Sequence, residues 1–247
     1  MGMAFRFLVA ASLFAGLATA RGEEALILYG YARPPFLYEE GGKMHGLLFD
    51  PVERAMKSSG VPYTWKVVPF SRAQMIVRDD REKACAVGWF WSPERARYAQ
   101  FSPVFYHGQT MVAVVRSTMP VAEPIVLRDF LQAPGLRLIR KQDLFLGIYV
   151  HAAVEEKLTE SQIFRTPVGI SLILKMIESN RGDFTIVPKE EIDYLLKTEF
   201  TDGKLRMLTF SDVPGSEGRH LMCSKAVPAE WMARIDAAIS AETGAVR

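Results

Sequence analysis

Short apolar runs alternate with amphipathic stretches along almost the whole chain, and that alternation limits the fold more than any other feature. Ala25-Leu26-Ile27-Leu28-Tyr29, Tyr63 to Val68 and Ala84 to Trp91 read as strands. Two helical patterns lie between them. Asp50-Pro51 opens the first, with Asp as N-cap and Pro at the first helical position; Val52, Ala55 and Met56 form its buried stripe and Gly60 its end. Ser71 and Gln74 have capping-box spacing at the start of the second, whose inner face carries Ala73, Ile76 and Val77. The order β-α-β-α-β predicts a parallel sheet with crossover helices. Consecutive prolines exclude helix from Tyr31-Ala32-Arg33-Pro34-Pro35-Phe36, and Gly41-Gly42 predicts a hairpin tip.

The second half repeats the theme. Met111 to Val115, Leu136 to Ile139, Ile163 to Arg165, Phe184 to Val187 and His220 to Cys223 read as strands. Gly147 to Leu158, Ser171 to Asn180 and Pro228 to Ile239 read as helices. Extended chain near Tyr106 to Gln109 joins the two α/β units. Ligands of open α/β sheets bind beyond the strand C-termini. With two lobes, that rule points to the cleft between them.

A chain of 247 residues has room for two cores. Net charge is +2, and Lys and Arg gather into no single run, so nucleic acid is not an expected partner. The four histidines, His45, His107, His151 and His220, belong to no HExxH; there is no CxxC and no GxSxG, so neither metal nor cofactor is expected. Residues 1–20 have the layout of a secretory signal peptide: a basic n-region to Arg6, an apolar stretch from Phe7 to Leu17, and Ala18-Thr19-Ala20 at the cleavage site. No Cys lies near that site, so no lipoprotein anchor is expected. The mature protein is expected in the periplasm. In an oxidising compartment, Cys85 and Cys223 suggest one disulfide; on the residues alone, two buried thiols packed as small hydrophobes remain the alternative.

Three stretches carry a family resemblance. Ser92-Pro93-Glu94-Arg95 is followed by Phe101-Ser102-Pro103-Val104-Phe105-Tyr106; Tyr31 to Phe36 precedes Gly41-Gly42-Lys43-Met44-His45-Gly46; and Asn180-Arg181-Gly182-Asp183 precedes a hydrophobic strand. Together they resemble the "TPER…FS-PYY", "PPF…dG…G" and "GRxDA" signatures of the family-3 extracellular solute-binding proteins, over roughly residues 24 to 240. The resemblance implies the two-lobed type II periplasmic-binding-protein fold, an α/β architecture in which each lobe is a mainly parallel sheet flanked by helices. Residues 24–107 and 217–247 would form lobe one, and 108–216 lobe two. His220 to Cys223 would then lie antiparallel beside Ala84 to Trp91, which favours the Cys85–Cys223 bridge. It also implies a monomer that captures a carboxylate or amino-acid-like small molecule by hinge closure and hands it to an ABC permease or a membrane sensor.

Arg95 is the first candidate ligand contact, because the family's arginine at this motif pairs with the ligand α-carboxylate and a guanidinium fork matches two carboxylate oxygens. The family pattern puts Phe90 on the ligand side, while Trp89 reads better as core. Tyr31 and Phe70 sit past strand ends and could complete a stacking box. Arg33 and Arg72 also lie past strand ends, as further anion contacts or as solvated charges. In two places the chain departs from the family. Val187-Pro188-Lys189 replaces the stretch whose acid holds the ligand ammonium, and Lys141-Gln142-Asp143-Leu144-Phe145 replaces the small "G-[ST]-T" loop. Gln142 and Asp143 become candidate contacts there. Either Asp143, Glu190 or Glu191 takes over the ammonium, or the ligand is an acid without one, such as a small carboxylate or dicarboxylate. A receptor without a transporter and a dehydratase-like enzyme on the same fold are the alternatives.

Overall fold

In a computed structural model, the structure describes residues 25–121, 124–142, 144, 146–215 and 217–244. The signal peptide reading for residues 1–20 lies outside them. The first half runs β1 (Leu26–Gly30), β2 (Tyr38–Glu40), β3 (Lys43–His45), α1 (Phe49–Ser59), β4 (Tyr63–Val67), α2 (Phe70–Asp79), β5 (Ala84–Phe90), α3 (Pro93–Ala96), β6 (Ala99–Phe101) and β7 (Tyr106–His107). The second runs β8 (Met111–Arg116), α4 (Leu127–Leu131), β9 (Leu138–Lys141), α5 (Ile148–Lys157), β10 (Ile163–Thr166), α6 (Ile170–Glu178), β11 (Phe184–Pro188), α7 (Lys189–Thr198), β12 (Leu205–Leu208), β13 (Gly218–Ser224) and α8 (Ala229–Gly244).

These strands build two sheets. The first has the order β4-β1-β5-β13-β6, with β7 also on β13. Its β4, β1 and β5 are parallel, and β13 returns from the far end of the chain to pair antiparallel with β5. The second sheet has the order β10-β9-β11-β8-β12, parallel from β10 to β11 and antiparallel at β8 and β12. Each face of each sheet is covered. Leu26, Leu28, Val52, Met56 and Ile235 pack one face of the first sheet with α1 and α8; Ala73, Val77 and Ala86 fill the other under α2. In the second sheet α4 and α5 close one face through Phe130, Val150 and Val154, and α6 and α7 close the other through Ile173, Ile177 and Ile192. Fully burying one such side chain is worth roughly 1.5–3 kcal/mol, so both halves hold cores of their own.

Cys223 stands opposite Cys85 in the β13–β5 register, with Cα atoms 3.9 Å apart, and the two are bridged. The bridge spans 138 residues and ties the returning strand into the first sheet. A bulge between His220 and Leu221 lets β5 carry one extra residue, Gly88, at φ 83°. A Cβ on Gly88 would stand 2.4 Å from Leu48 Cδ1, so the position needs glycine for both reasons.

Both expected helix caps are replaced. α1 starts two residues earlier than Asp50-Pro51 implies, with Leu48 as N-cap and no side-chain cap; Asp50 lies in the first turn, where its charge still favours the helix N-terminus. Pro69 precedes α2 and its carbonyl accepts from Arg72 N and Ala73 N. Ser71 is therefore already inside the helix and cannot cap it, and the Gln74 amide donates to the Tyr98 hydroxyl instead. The Asn180 to Asp183 motif fastens the second lobe. Asp183 accepts from Arg116 and from the Arg137 backbone and side chain, and Gly182 packs where a Cβ would meet Ile139 at 2.4 Å.

Candidate functional site

The C-terminal ends of β1, β4, β5, β9 and β11 deliver nearly all the candidate residues to the space between the two sheets. A cavity of about 460 Å³ there is lined by Tyr31, Ala32, Phe70 and Ser71 from the first half and by Lys141, Gln142 and Pro167 from the second. A smaller space of about 200 Å³ shares Tyr31, Ala32 and Lys141 and reaches Arg33, Glu191 and the start of α6. Tyr31 and Phe70 meet edge to face at 4.9 Å, and Phe70 stacks on Trp89 at 4.1 Å with 14° between the rings. Trp89 is buried, in keeping with its reading as core.

Arg33 reaches across the cleft. Its Nε donates to Glu191 Oε1 at 2.6 Å and its Nη2 to Glu191 Oε2, a two-pronged ion pair between the loop after β1 and the first turn of α7. Arg33 is 7% exposed and Glu191 2%. Burial alone would lower the Arg33 pKa, but the Glu191 carboxylate and the Tyr31 oxygen outweigh it and hold the guanidinium above its ordinary range. Glu190, beside it, accepts at Oε1 from the Tyr106 hydroxyl (2.9 Å) and from Gln109 N (2.6 Å). Its Oε2 is buried with no hydrogen-bond partner. Burial and then the Glu190 charge push the Tyr106 phenol upward, so it stays a donor.

Arg95, just beyond β5, is not in the lining of either cavity. Ser92 caps α3 by accepting from Arg95 N at 3.3 Å, with Pro93 at the first helical position. The Arg95 Nη1 donates to the Phe90 carbonyl at 3.1 Å, and the guanidinium lies over the Trp89 ring at 4.8 Å. Burial lowers its pKa. Lys141 is pushed below its ordinary range by burial and then by the Arg33 charge.

The remaining candidates are placed unevenly. Gln142 lines the cavity, whereas Arg72 is exposed on α2 and does not line it. Asp143 lies outside the described residues. Lys189, next to Pro188, is drawn away by Asp193 one helical turn on. One residue escaped the sequence reading. Arg219, 5% exposed, puts its guanidinium over the Phe90 ring at 3.7 Å and over the Phe36 ring at 5.7 Å, and its Nη1 donates to the Gly88 carbonyl at 3.1 Å. Arg219 shares its strand face with Leu221 and Cys223, and a basic residue on an inward face was the available signal. Starting the strand at His220 hid it.

Two α/β sheets that share a cleft, with the chain returning to the first sheet at its end, form the type II periplasmic-binding-protein fold. The family model for "Bacterial extracellular solute-binding proteins, family 3" matches residues 27–241, and the chain belongs to that family. Among curated protein sequences none matches it significantly. Solved structures similar to it include an ancestral arginine-binding protein bound to arginine, at 16% identity and TM-score 0.71, covering 89% of this chain and 92% of that one. The arginine-, lysine-, histidine-binding protein ArtJ from Geobacillus stearothermophilus is 17% identical, with TM-score 0.71 and 90% of each chain covered. A histidine kinase sensor domain with similarity to periplasmic binding proteins is 19% identical, with TM-score 0.68, over 91% and 94% of the two chains. These likenesses establish the fold. Among the described residues no helix is long and apolar enough to cross a membrane, and no cluster of His, Cys, Asp or Glu could hold a metal ion.

Proposed function

We propose that this protein is a periplasmic solute-binding protein that closes residues 108–216 onto residues 24–107 and 217–247 around a small carboxylate without an ammonium group, for an ABC-type importer. One observation carries the reading. Glu191, an acid near the position where family members hold an ammonium, is already neutralised by Arg33. Lys141, which lines the same cavity, and Arg219 make no ion pair among the described residues. In this reading Arg95 takes the ligand carboxylate, Tyr31 and Phe70 pack its body, and Gln142 contributes an amide. Closure excludes water and strengthens the contact; losing a charge-assisted hydrogen bond costs roughly 1.5–3 kcal/mol. Arg95→Ala should therefore weaken binding about ten- to a hundredfold in calorimetry while the fold survives, and unchanged affinity would remove Arg95 from the site.

The first experiment is a thermal-shift screen of mature protein against amino acids, keto acids, sugar acids, peptides and mono- and dicarboxylates. A ligand at a hundred times its Kd adds about 2.7 kcal/mol, which moves the midpoint by several degrees. Hits among ammonium-free acids support the reading. Hits confined to amino acids would contradict it and point to the unpartnered Glu190 Oε2 as the ammonium acceptor. The likeness to a histidine kinase sensor domain favours a second reading, a sensing receptor that presents its closed form to a membrane partner. Co-transcribed permease and ATPase genes would decide for transport.

A further inference from the structure

The reading above assigns one anchor, Arg95, and leaves Arg219 without a task. A buried guanidinium ordinarily meets a carboxylate or spends its donors on carbonyls. Arg219 does neither fully. Its Nη1 is satisfied by Gly88 O, its Nε is buried with no partner, and no carboxylate among the described residues lies within ion-pair distance. Glu190, the acid most free to answer it, spends Oε1 on Tyr106 and Gln109 and leaves Oε2 unpaired. Stacking on Phe90 holds the Arg219 fork in place without neutralising it.

Arg95 and Arg219 are pinned to the same strand end. One donates to the Phe90 carbonyl and the other to the Gly88 carbonyl, two residues apart along β5, roughly 7 Å for extended chain. Arg33 and Arg219 both lie over the Phe36 ring, at 5.2 and 5.7 Å.

We propose that Arg219 is a second anion anchor of the cleft, so that the ligand carries two acidic groups a few carbon atoms apart, as a short dicarboxylate does. This rests on the carboxylate reading of the same cleft. It explains why a guanidinium with an open donor is kept beside the ring that the family pattern assigns to the ligand. A monocarboxylate would engage a single anchor and leave Arg219 as it stands.

The test is calorimetry of the mature protein with succinate and with butyrate, which have the same number of carbons and differ by one carboxyl group. Succinate is expected to bind at least tenfold more tightly to the wild type. Arg219→Gln should bring the two affinities within about twofold of each other and leave butyrate unchanged, whereas Arg219→Lys should keep most of the preference. A thermal melt of each variant checks the fold. Equal affinities in the wild type, or a preference that survives Arg219→Gln, would overturn the inference alone. Binding of neither acid at millimolar concentration would remove the carboxylate reading and this inference with it.

Discussion

Arg33 and Arg219 share the Phe36 ring, come from the same lobe and are almost equally buried, yet the cleft treats them in opposite ways. Arg33 has a carboxylate from the opposite lobe at both prongs and is held charged beyond its ordinary range. Arg219 has a carbonyl, a ring and an open donor; burial pushes its pKa down to about 10. Burial alone therefore does not fix the role of a cleft cation. In the proposed reading, the guanidinium that already holds an acid serves lobe closure, and the one that lacks an acid takes an anion from outside.

The largest expected effect breaks the paired side. Glu191→Gln leaves Arg33 buried without its carboxylate, which should cost about 3–5 kcal/mol in denaturant unfolding if the cleft stays shut. If the cleft opens instead, part of that loss is recovered and the radius of gyration in small-angle scattering rises. A variant as stable and compact as the wild type would remove the pair from closure.

Arg219 depends on the placement of β13, so its side is broken by the Cys85→Ser, Cys223→Ser double variant. The bridge lies four residues from Arg219 and closes a long stretch of chain, and its loss should cost about 2–5 kcal/mol. The same loss on adding reductant to the wild type, and none on adding it to the variant, would tie the effect to the bond.

A smaller effect sharpens the comparison. With its pKa pushed down to about 10, Arg219 is expected to give up its proton in the folded chain at lower pH than in the unfolded chain. Stability from this group therefore rises with pH above about 10 and is lowest below it. Arg219→Gln should be neutral or stabilising at pH 8, and its advantage over the wild type should shrink by pH 10.5. A gap that stays constant across those two pH values would mean that the Arg219 charge is compensated in solution.

Much of this architecture was legible from periodicity, because amphipathic stripes such as Val52, Ala55 and Met56 decide which face is buried wherever the helix begins. The caps were less so: Ser71 has the right partner at the right spacing, but Pro69 starts the helix before it. The family topology placed the strands of Cys85 and Cys223 side by side but left their register open; the strand pairing sets the two cysteines opposite each other. Arg95 stood out as a candidate because its motif is contiguous. The Arg33–Glu191 pair was not, since 158 residues separate the partners and only the packing of two sheets brings them together. Arg219 lay just outside a strand boundary, where sequence patterns are weakest, and the Gly88 bulge that supplies its carbonyl has no periodic signal.

The most direct test of the account is to titrate the mature protein by calorimetry with succinate and with L-arginine under the same conditions. The account predicts heat of binding with succinate and none with arginine, because Glu191 is already occupied by Arg33 and the nearby Arg33, Lys141 and Arg219 charges oppose a cationic ligand. Binding of arginine without binding of succinate would contradict it and return Glu190 and Glu191 to the ligand.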